Sequence, residues 1–372
     1  MKPILLSIVL VFCLFFAALA QSSNDYYKKG MAKLEVEDYA GAIVDFTKSL
    51  ELDSIDSDTY LYRAKAKHFM ENYKGAIEDL DQAIKISPKH YDAYCCRSFS
   101  KFSSKDYIGA IKDANIAVEI DPGSIKAYEA RAMSSREIND HSSVIGDYTS
   151  IIELNPKDSS NYTFRGYSKM DLKNYEGAIE DLTKAIELGD SCSLNYENRL
   201  QAYLELRDYQ AAKQDLNKLI KLNPADEWNY KKLGDIDREL KDFASGIKNY
   251  SKAIALNPFL ADIYRDRSVM YSSSKKFMEA LSDCNQAIRL NPKFIDAYVT
   301  RALIKTILND FKGAMLDINK GIELDPKSGK GYYYRGMIKL DLKDKKNACA
   351  DLTKAKSLGF EVLEADFKKA CN

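Results

Sequence analysis

Arginine and aspartate recur along this chain 16 residues apart, a spacing suited either to ion pairs between neighbouring helices or to a ladder of anion-binding arginines. Examples are Arg63 with Asp79, Arg165 with Asp181, and Arg335 with Asp351. An aspartate accompanies almost every one of these periodic arginines, and residues 227–260 lack both members of the pair, with Leu233 and Asn249 in their places. We therefore predict structural ion pairs, which fix packing register more than they add stability because desolvation offsets much of the attraction. A row of phosphate-binding arginines is the alternative.

Other side chains that could carry chemistry are sparse. The three histidines, His68, His90 and His141, show no metal-ligand spacing, and the sequence contains no Gly-rich phosphate loop or nucleophile motif. Lys plus Arg and Asp plus Glu both number 55, which gives no basic footprint for nucleic acid or an anionic membrane. We expect no catalytic residues, metal site, cofactor or nucleic-acid partner.

A repeat of 34 residues positions these side chains. Counted from three residues before each recurring tyrosine, ten repeats run from Ser23 to Val362. Position 8 is mostly small, position 17 mostly aromatic, and every proline after Pro3 stands at position 32, where it ends a helix. A two-helix repeat of this length buries its apolar face only by stacking on its neighbours. The recurring tyrosines are Tyr26, Tyr60, Tyr94, Tyr128, Tyr162, Tyr196, Tyr230, Tyr264, Tyr298 and Tyr332.

This pattern resembles the tetratricopeptide repeat (TPR) family, with its aromatic residues at positions 4 and 17, small residues at 8, 20 and 27, and proline at 32. The resemblance implies an all-α, right-handed superhelical solenoid of ten helix-turn-helix repeats. The repeats depart from the pattern where Gly189 and Gly359 replace the proline turn and where Lys345 occupies position 17. The tail, 363–372, is expected to form a capping helix with Leu363 and Phe367 packed on the last repeat.

The chain further divides into two halves of five repeats, 23–192 and 193–362. Arg165 to Ala185 of repeat 5 and Arg335 to Ala355 of repeat 10 are identical at 12 of 21 positions. Both segments run on to Leu-Gly, at Leu188 and Leu358. We interpret this as duplication of a five-repeat array. Because the junction at Gly189 to Ser193 lacks the rigid proline, we expect the solenoid to bend or flex there.

The resemblance implies that a ligand binds the concave face, at positions 2, 5, 6, 9, 12 and 13 of each first helix. Aromatic anchors beside a charged band suit an extended peptide or a helix of another protein. A carbohydrate- or cell-wall-binding module, with rings stacked on sugars, is the alternative. Any single ring could instead complete the packing between helices. The predicted groove residues are Tyr27, Tyr62, Phe99, Phe164, Tyr167, Lys231, Arg238, Arg265, Tyr333 and Tyr334.

Residues 1–20 are typical of a cleavable signal peptide. Lys2 precedes an apolar run from Ile4 to Ala17, which is followed by the small-x-small pattern of Ala18 to Ala20. We expect a secreted or periplasmic protein. An uncleaved anchor and lipid attachment at Cys13 are the alternatives, although the run is shorter than the roughly 20 residues that a spanning helix needs.

Export would permit disulfides. Cys349 lies near the start of the second helix of repeat 10 and Cys371 near the end of the cap, each 11 residues from Phe360. Since mirror positions of an antiparallel helix pair are neighbours, we predict a disulfide between them. Cys284, at position 24, should be a buried thiol, and Cys192 a free thiol in a turn.

Overall fold

A computed structural model of the protein describes residues 22–371. The predicted signal peptide, 1–20, lies outside these residues. The described chain is entirely α-helical in its regular structure, which confirms the predicted fold class. Its helices are α1 Ser23–Glu35, α2 Tyr39–Leu52, α3 Ser57–Phe69, α4 Tyr73–Ile86, α5 Tyr91–Ser103, α6 Tyr107–Ile120, α7 Ile125–Glu137, α8 His141–Leu154, α9 Ser159–Asp171, α10 Tyr175–Glu187, α11 Ser193–Glu205, α12 Tyr209–Leu222, α13 Glu227–Glu239, α14 Phe243–Leu256, α15 Ala261–Ser273, α16 Phe277–Leu290, α17 Ile295–Ile307, α18 Phe311–Leu324, α19 Gly329–Asp341, α20 Lys345–Ser357 and α21 Glu364–Cys371.

Two compact units make up the described chain, an N-terminal unit that ends at Asn195 and a C-terminal unit that begins at Tyr196. This division falls three residues after the predicted boundary at Cys192. In each unit, helices that follow one another pack as antiparallel pairs, α3 on α4 for instance, and first helices of neighbouring repeats also contact each other, as α3 does α5 and α15 does α17. The duplication of five repeats stays a prediction.

Each helix pair turns on the same backbone device, which the sequence pattern did not indicate. In repeat 1, Glu37 has a left-handed φ of 61°, and Asp38 N–H donates to the Lys33 carbonyl at 2.9 Å, the bonding of a Schellman C-cap. The Asp38 carboxylate then accepts from Gly41 N–H at 2.9 Å and caps α2. Position 15 takes the left-handed conformation throughout, always without glycine, at Glu37, Glu71, Lys105, Asn139, Lys173, Arg207, Lys241, Lys275, Asn309 and Lys343.

The recurring tyrosine joins consecutive repeats. Tyr94 Oη donates to the carbonyl of Pro88 at 3.4 Å, and Tyr128 Oη donates to that of Pro122 at 3.3 Å. The Arg97 guanidinium lies 5.4 Å from the centre of the Tyr94 ring, within the range of a cation–π contact. Positions 4, 7 and 32 thus form one packing motif.

Small residues at position 8 allow the two helices of a repeat to approach closely. A Cβ on Gly30 would lie 2.6 Å from the Phe46 ring, and a Cβ on Gly234 would lie 2.6 Å from the Tyr250 ring. Both rings belong to position 24 and are fully buried. The ring that fills the hollow therefore comes from position 24, not from the aromatic position 17.

The tail forms the expected capping helix, α21, but one of its predicted contacts is wrong. Phe367 and Ala370 pack against Leu340 and Leu352 of repeat 10. Leu363, in contrast, is 59% exposed. It precedes α21, and its carbonyl accepts from Phe367 N–H at 3.0 Å, so the first turn of the helix directs its side chain away from the core.

The cysteine pair at the cap has the arrangement that the predicted disulfide requires. The Sγ atoms of Cys349 and Cys371 lie 2.04 Å apart and the Cα atoms 4.9 Å apart. Whether the bond forms in the protein stays a prediction, since it depends on the redox compartment. Cys284 is fully buried and Cys192 is exposed, as expected.

Among residues 22–371, the helices are all too short or too polar to span a lipid bilayer.

Candidate functional site

The periodic arginines bind aspartates of their own repeat. Arg63 donates from Nη2 to Asp79 Oδ1 at 2.7 Å and from Nε to Oδ2 at 2.9 Å. The Nη2 atom of Arg165 lies 2.7 Å from Asp181 Oδ1, and that of Arg335 lies 2.8 Å from Asp351 Oδ1. Each aspartate is at least nine-tenths buried. Because these guanidiniums already face an internal anion, they are poorly suited to a phosphate ladder.

A third contact of these arginines had no counterpart in the sequence reasoning. Arg63 Nη1 reaches Thr47 Oγ1 of the preceding repeat at 3.2 Å. Arg97 Nη1 reaches Asp81 in the same way at 2.6 Å. The polar residue at position 25 of one repeat therefore binds the arginine at position 7 of the next, which links adjacent repeats as well as the helices within one.

Repeat 7, which lacks both partners, carries a rearranged version of the same network. Asp237 at position 11 is fully buried, and its carboxylate binds Lys213 Nζ at 2.6 Å and Asn249 Nδ2 at 2.7 Å. Elsewhere position 11 often holds a lysine that binds the aspartate at position 23, as Lys67 does Asp79 at 2.7 Å. The anion has moved from the second helix to the first. The aspartate at a lysine position was the sequence signal that could have revealed this.

An open pocket of about 270 Å³ lies between the first helices of repeats 2, 3 and 4, α3, α5 and α7. Phe99 lines it as predicted, together with Phe69, which is 60% exposed. Ala64, Leu80 and Cys95, all buried, form an apolar floor. The other lining residues, most of which the sequence reasoning left out, are Lys65, His68, Asp92, Cys96, Ser100 and Lys126.

The thiols in this pocket are uncharged near neutral pH. Burial raises the pKa of Cys95 to about 12 and the pKa of Cys96 to about 11. Burial also lowers the pKa of His68, and its Nδ1 lies 3.0 Å from Ser100 Oγ. The interior of the pocket therefore favours an uncharged group.

The remaining aromatic groove residues of the N-terminal unit take part in internal contacts. Tyr27 and Tyr62 meet edge to face with centroids 6.0 Å apart, and both lie near the buried ring of Phe46. Such a cluster does not offer a flat platform for a sugar ring. Phe164, 38% exposed, stacks on Tyr148 at 5.3 Å.

Tyr167 belongs to a polar network at the turn that follows repeat 5. Its hydroxyl donates to Asn195 Oδ1 at 2.8 Å. The Asn195 amide donates to the Asp190 carbonyl at 2.9 Å and to Thr163 Oγ1 at 3.2 Å, and Thr163 donates to the Asp190 carboxylate at 2.8 Å. Hydrogen bonds thus hold a turn that lacks proline.

The charged band of the C-terminal unit is a self-paired network. Lys231 Nζ lies 3.1 Å from the Asp235 carboxylate, and Arg265 Nη1 lies 3.0 Å from Asp266. Arg238 Nη1 lies 3.5 Å from Asp235 and 3.4 Å from Asp266. The structure brings the three predicted cations together, but it supplies each with an internal carboxylate.

A buried tyrosine completes this network. Tyr250 is fully buried, and its hydroxyl donates to Asp235 Oδ1 at 2.8 Å. Burial raises the pKa of Tyr250, and it also raises the pKa of Asp266, which is only 3% exposed. Side chains that satisfy one another in this way have little left to offer a ligand.

At the carboxyl-terminal end of the C-terminal unit, the capping helix α21 contacts Tyr333, one of the predicted groove residues. Tyr333 Oη donates to Asp366 of α21 at 2.7 Å, and its ring packs 5.1 Å from that of Phe360 and 5.2 Å from that of Tyr334. Burial raises the pKa of Tyr333 to about 12.

The chain was compared with known proteins by sequence and by structure. Among curated proteins the comparison finds no match. Solved structures with a similar fold include MamA, which is 23% identical over 46% of this chain and 94% of its own, with a TM-score of 0.43. YrrB, a TPR protein with an unusual peptide-binding site, is 20% identical over 53% of this chain and 97% of its own, with a TM-score of 0.43. A TPR protein from Parabacteroides merdae is 20% identical over 76% of this chain and 99% of its own, with a TM-score of 0.45.

The sequence model of the tetratricopeptide repeat matches residues 57–90, 159–188, 195–226 and 295–328. These four segments fall in the same 34-residue register as the helix pairs α3–α4, α9–α10, α11–α12 and α17–α18. The matches and the recurring helix pairs support the predicted resemblance to the tetratricopeptide repeat family.

Proposed function

We propose that the protein is a non-catalytic scaffold that binds a segment of another protein in the first-helix groove of its N-terminal unit. The pocket between α3, α5 and α7 is the observation that carries this proposal. It combines a buried apolar floor with the exposed ring of Phe69, the arrangement that protein interfaces use to anchor one large side chain. The charged band of the C-terminal unit then serves mainly to hold its own helices.

The site of action that we propose is outside the cytoplasm, either secreted or periplasmic. The apolar run from Ile4 to Ala17 and the small residues before Gln21 support cleavage of a signal peptide. Cell fractionation and the mass of the mature amino terminus test this: a mature chain beginning at Gln21 outside the cytoplasm is expected, and a cytoplasmic chain that keeps residues 1–20 would refute it.

Crosslinking in the native cell envelope tests the binding function. Wild-type protein should crosslink to a specific protein, and Phe69→Ser should abolish this crosslink. Because the Phe69 ring also stacks on Tyr39 at 5.0 Å, circular dichroism verifies that the variant folds. Phe259→Ser is the matched control, since that ring is 78% exposed and lies in a turn of the C-terminal unit. Equal crosslinking by wild type and Phe69→Ser would remove the groove from the proposal.

A glycan array tests the carbohydrate alternative on the wild-type chain and on Phe99→Ala. We expect no saturable glycan binding, because Tyr27 and Tyr62 pack against each other. Saturable binding that is lost in Phe99→Ala would replace the protein-binding proposal.

A further inference from the structure

The pocket between α3, α5 and α7 has the size of a side-chain site. At about 270 Å³ it is slightly smaller than the roughly 300–1,000 Å³ typical of small-molecule sites. Its floor is apolar, and its two thiols are neutral because burial raises the pKa of Cys95 and of Cys96. A neutral thiol packs as a small apolar group. The interior therefore accepts an apolar side chain and rejects a charged one.

Charge is confined to the rim of the pocket. Two lysines, Lys65 and Lys126, line it with a single carboxylate, Asp92. Within residues 22–371 neither lysine forms an ion pair with a carboxylate; the Lys65 ammonium instead lies 4.6 Å from the centre of the Tyr62 ring. Lysines at position 11 of α3 and α5 behave differently, since Lys67 and Lys101 bind Asp79 and Asp113 at 2.7 and 2.8 Å.

The contrast matters because most polar groups around these helices have internal partners. The Asp58 carboxylate, on the same helix as Lys65, lies 3.0 Å from His90 Nε2. The two rim lysines keep their ammonium groups available to a bound chain. A ligand that fills the apolar interior would thus meet positive charge at the mouth of the pocket. Carboxylates of the ligand would strengthen its binding there.

We propose that the occupant is a peptide segment that places one large aliphatic or aromatic side chain in this pocket, with Asp or Glu residues within the segment next to it. This inference rests on the proposed protein-binding function and specifies its ligand. The carboxylates belong to side chains, and a free terminal carboxylate is not required, because the rim charges flank the pocket and its interior is uncharged.

Selection from a displayed library of random linear peptides tests the ligand class on the mature chain. We expect enriched peptides to share a large apolar residue with adjacent Asp or Glu. Synthetic copies should bind equally with a free or an amidated carboxyl terminus. A requirement for the free terminus would overturn the proposal.

Charge reversal tests the rim. The double variant Lys65→Glu/Lys126→Glu should lose at least about tenfold in affinity, equivalent to 1.4 kcal/mol, and should select basic neighbours from the same library. Lys74→Glu is the control, because Lys74 is an exposed lysine on α4 that does not line the pocket. Circular dichroism of each variant verifies folding, since Lys74 and Lys126 are exposed and Lys65 is half-buried.

The outcomes separate this inference from the proposed function. Peptides that bind through Phe69 but show no acidic preference, or that tolerate the double charge reversal, would overturn the ligand class and leave the scaffold function standing. A library that yields no peptide for the wild-type chain would overturn both.

Discussion

Replacing the same carboxylate in two different repeats tests whether the periodic ion pairs stabilise the helix pairs. In repeat 2, Asp79 is 4% exposed and accepts hydrogen bonds from Arg63 at 2.7 and 2.9 Å. It also forms an ion pair with Lys67 at 2.7 Å. In repeat 4, Asp147 is 1% exposed and only Arg131 binds it, through Oδ1, while Oδ2 is buried with no partner. The two sites share position 23 and differ in their cations.

Asp79→Asn should cost about 3–5 kcal/mol, the cost of breaking a buried ion pair by removing one partner. The amide would also turn a donor toward cations that have no other anion. We expect Asp147→Asn to cost about 1 kcal/mol or less, the scale of one neutral hydrogen bond.

The pKa of Asp147 gives the reason for the smaller cost. Burial raises this pKa above its ordinary value of 3.8, so the folded state favours the uncharged acid. The associated stability is present at low pH and is lost as the pH rises through the folded pKa. Near neutral pH, the uncharged asparagine therefore removes a penalty that the ionised aspartate carries.

Native-state hydrogen exchange is the suitable assay, because stacked repeats do not unfold as one two-state unit. Amides of α4 should lose protection in Asp79→Asn far more than amides of α8 lose it in Asp147→Asn. Equal losses at the two sites, or a larger loss at Asp147, would refute the reasoning from the number of cations.

Three further predictions follow from individual contacts. Cys371→Ser should destabilise the capping helix by about 3 kcal/mol if the disulfide forms, as seen in hydrogen exchange of α21 and in peptide mapping without reductant; Cys192→Ser is the exposed control, and an unchanged cap would contradict the bond. Gly234→Ala should cost about 1–3 kcal/mol because its Cβ would meet a buried ring at 2.6 Å, whereas Gly146→Ala, with open space around the new Cβ, should stabilise helix α8 by about 0.5–1 kcal/mol. Hydrogen exchange of the amides of α13 and of α8 compares the two variants, and effects of the same sign would be inconsistent with the packing. Asn195→Ala should accelerate limited proteolysis of the preceding turn, because its amide binds the backbone there at 2.9 Å, and an unchanged cleavage rate would show that these hydrogen bonds do not hold the turn.

The period of the sequence was sufficient to predict the helix pairs, the small residues at the close approach, and the partners of the arginines. All of these depend on contacts that recur in each repeat, so one residue spacing describes them. Leu363 was misplaced because the start of α21 depends on the local turn and not on the period.

The candidate site was less predictable because it depends on contacts between repeats. The charged residues Lys231, Arg238 and Arg265 lie together, and two of their ion pairs, Lys231 with Asp235 and Arg265 with Asp266, form within one helix. The ion pair of Arg238 with Asp266 joins two neighbouring first helices, and one linear pattern does not reveal it. The pocket between α3, α5 and α7 was largely missed for a related reason. Three first helices and the second helix α4 contribute to it, and its floor contains small residues that look unremarkable in sequence.

The same positions therefore produce an open pocket in one unit and a closed network in the other, according to the size and charge of the side chains on the first helices. At positions 5 and 6, repeat 3 carries the short, uncharged Cys95 and Cys96, and a hollow remains above Leu80. At the same positions repeat 8 carries Arg265 and Asp266, and the Asp266 carboxylate binds both Arg265 and Arg238 of repeat 7. Since a ligand must displace whatever already satisfies these groups, binding to the open pocket avoids a cost that the charged network would impose.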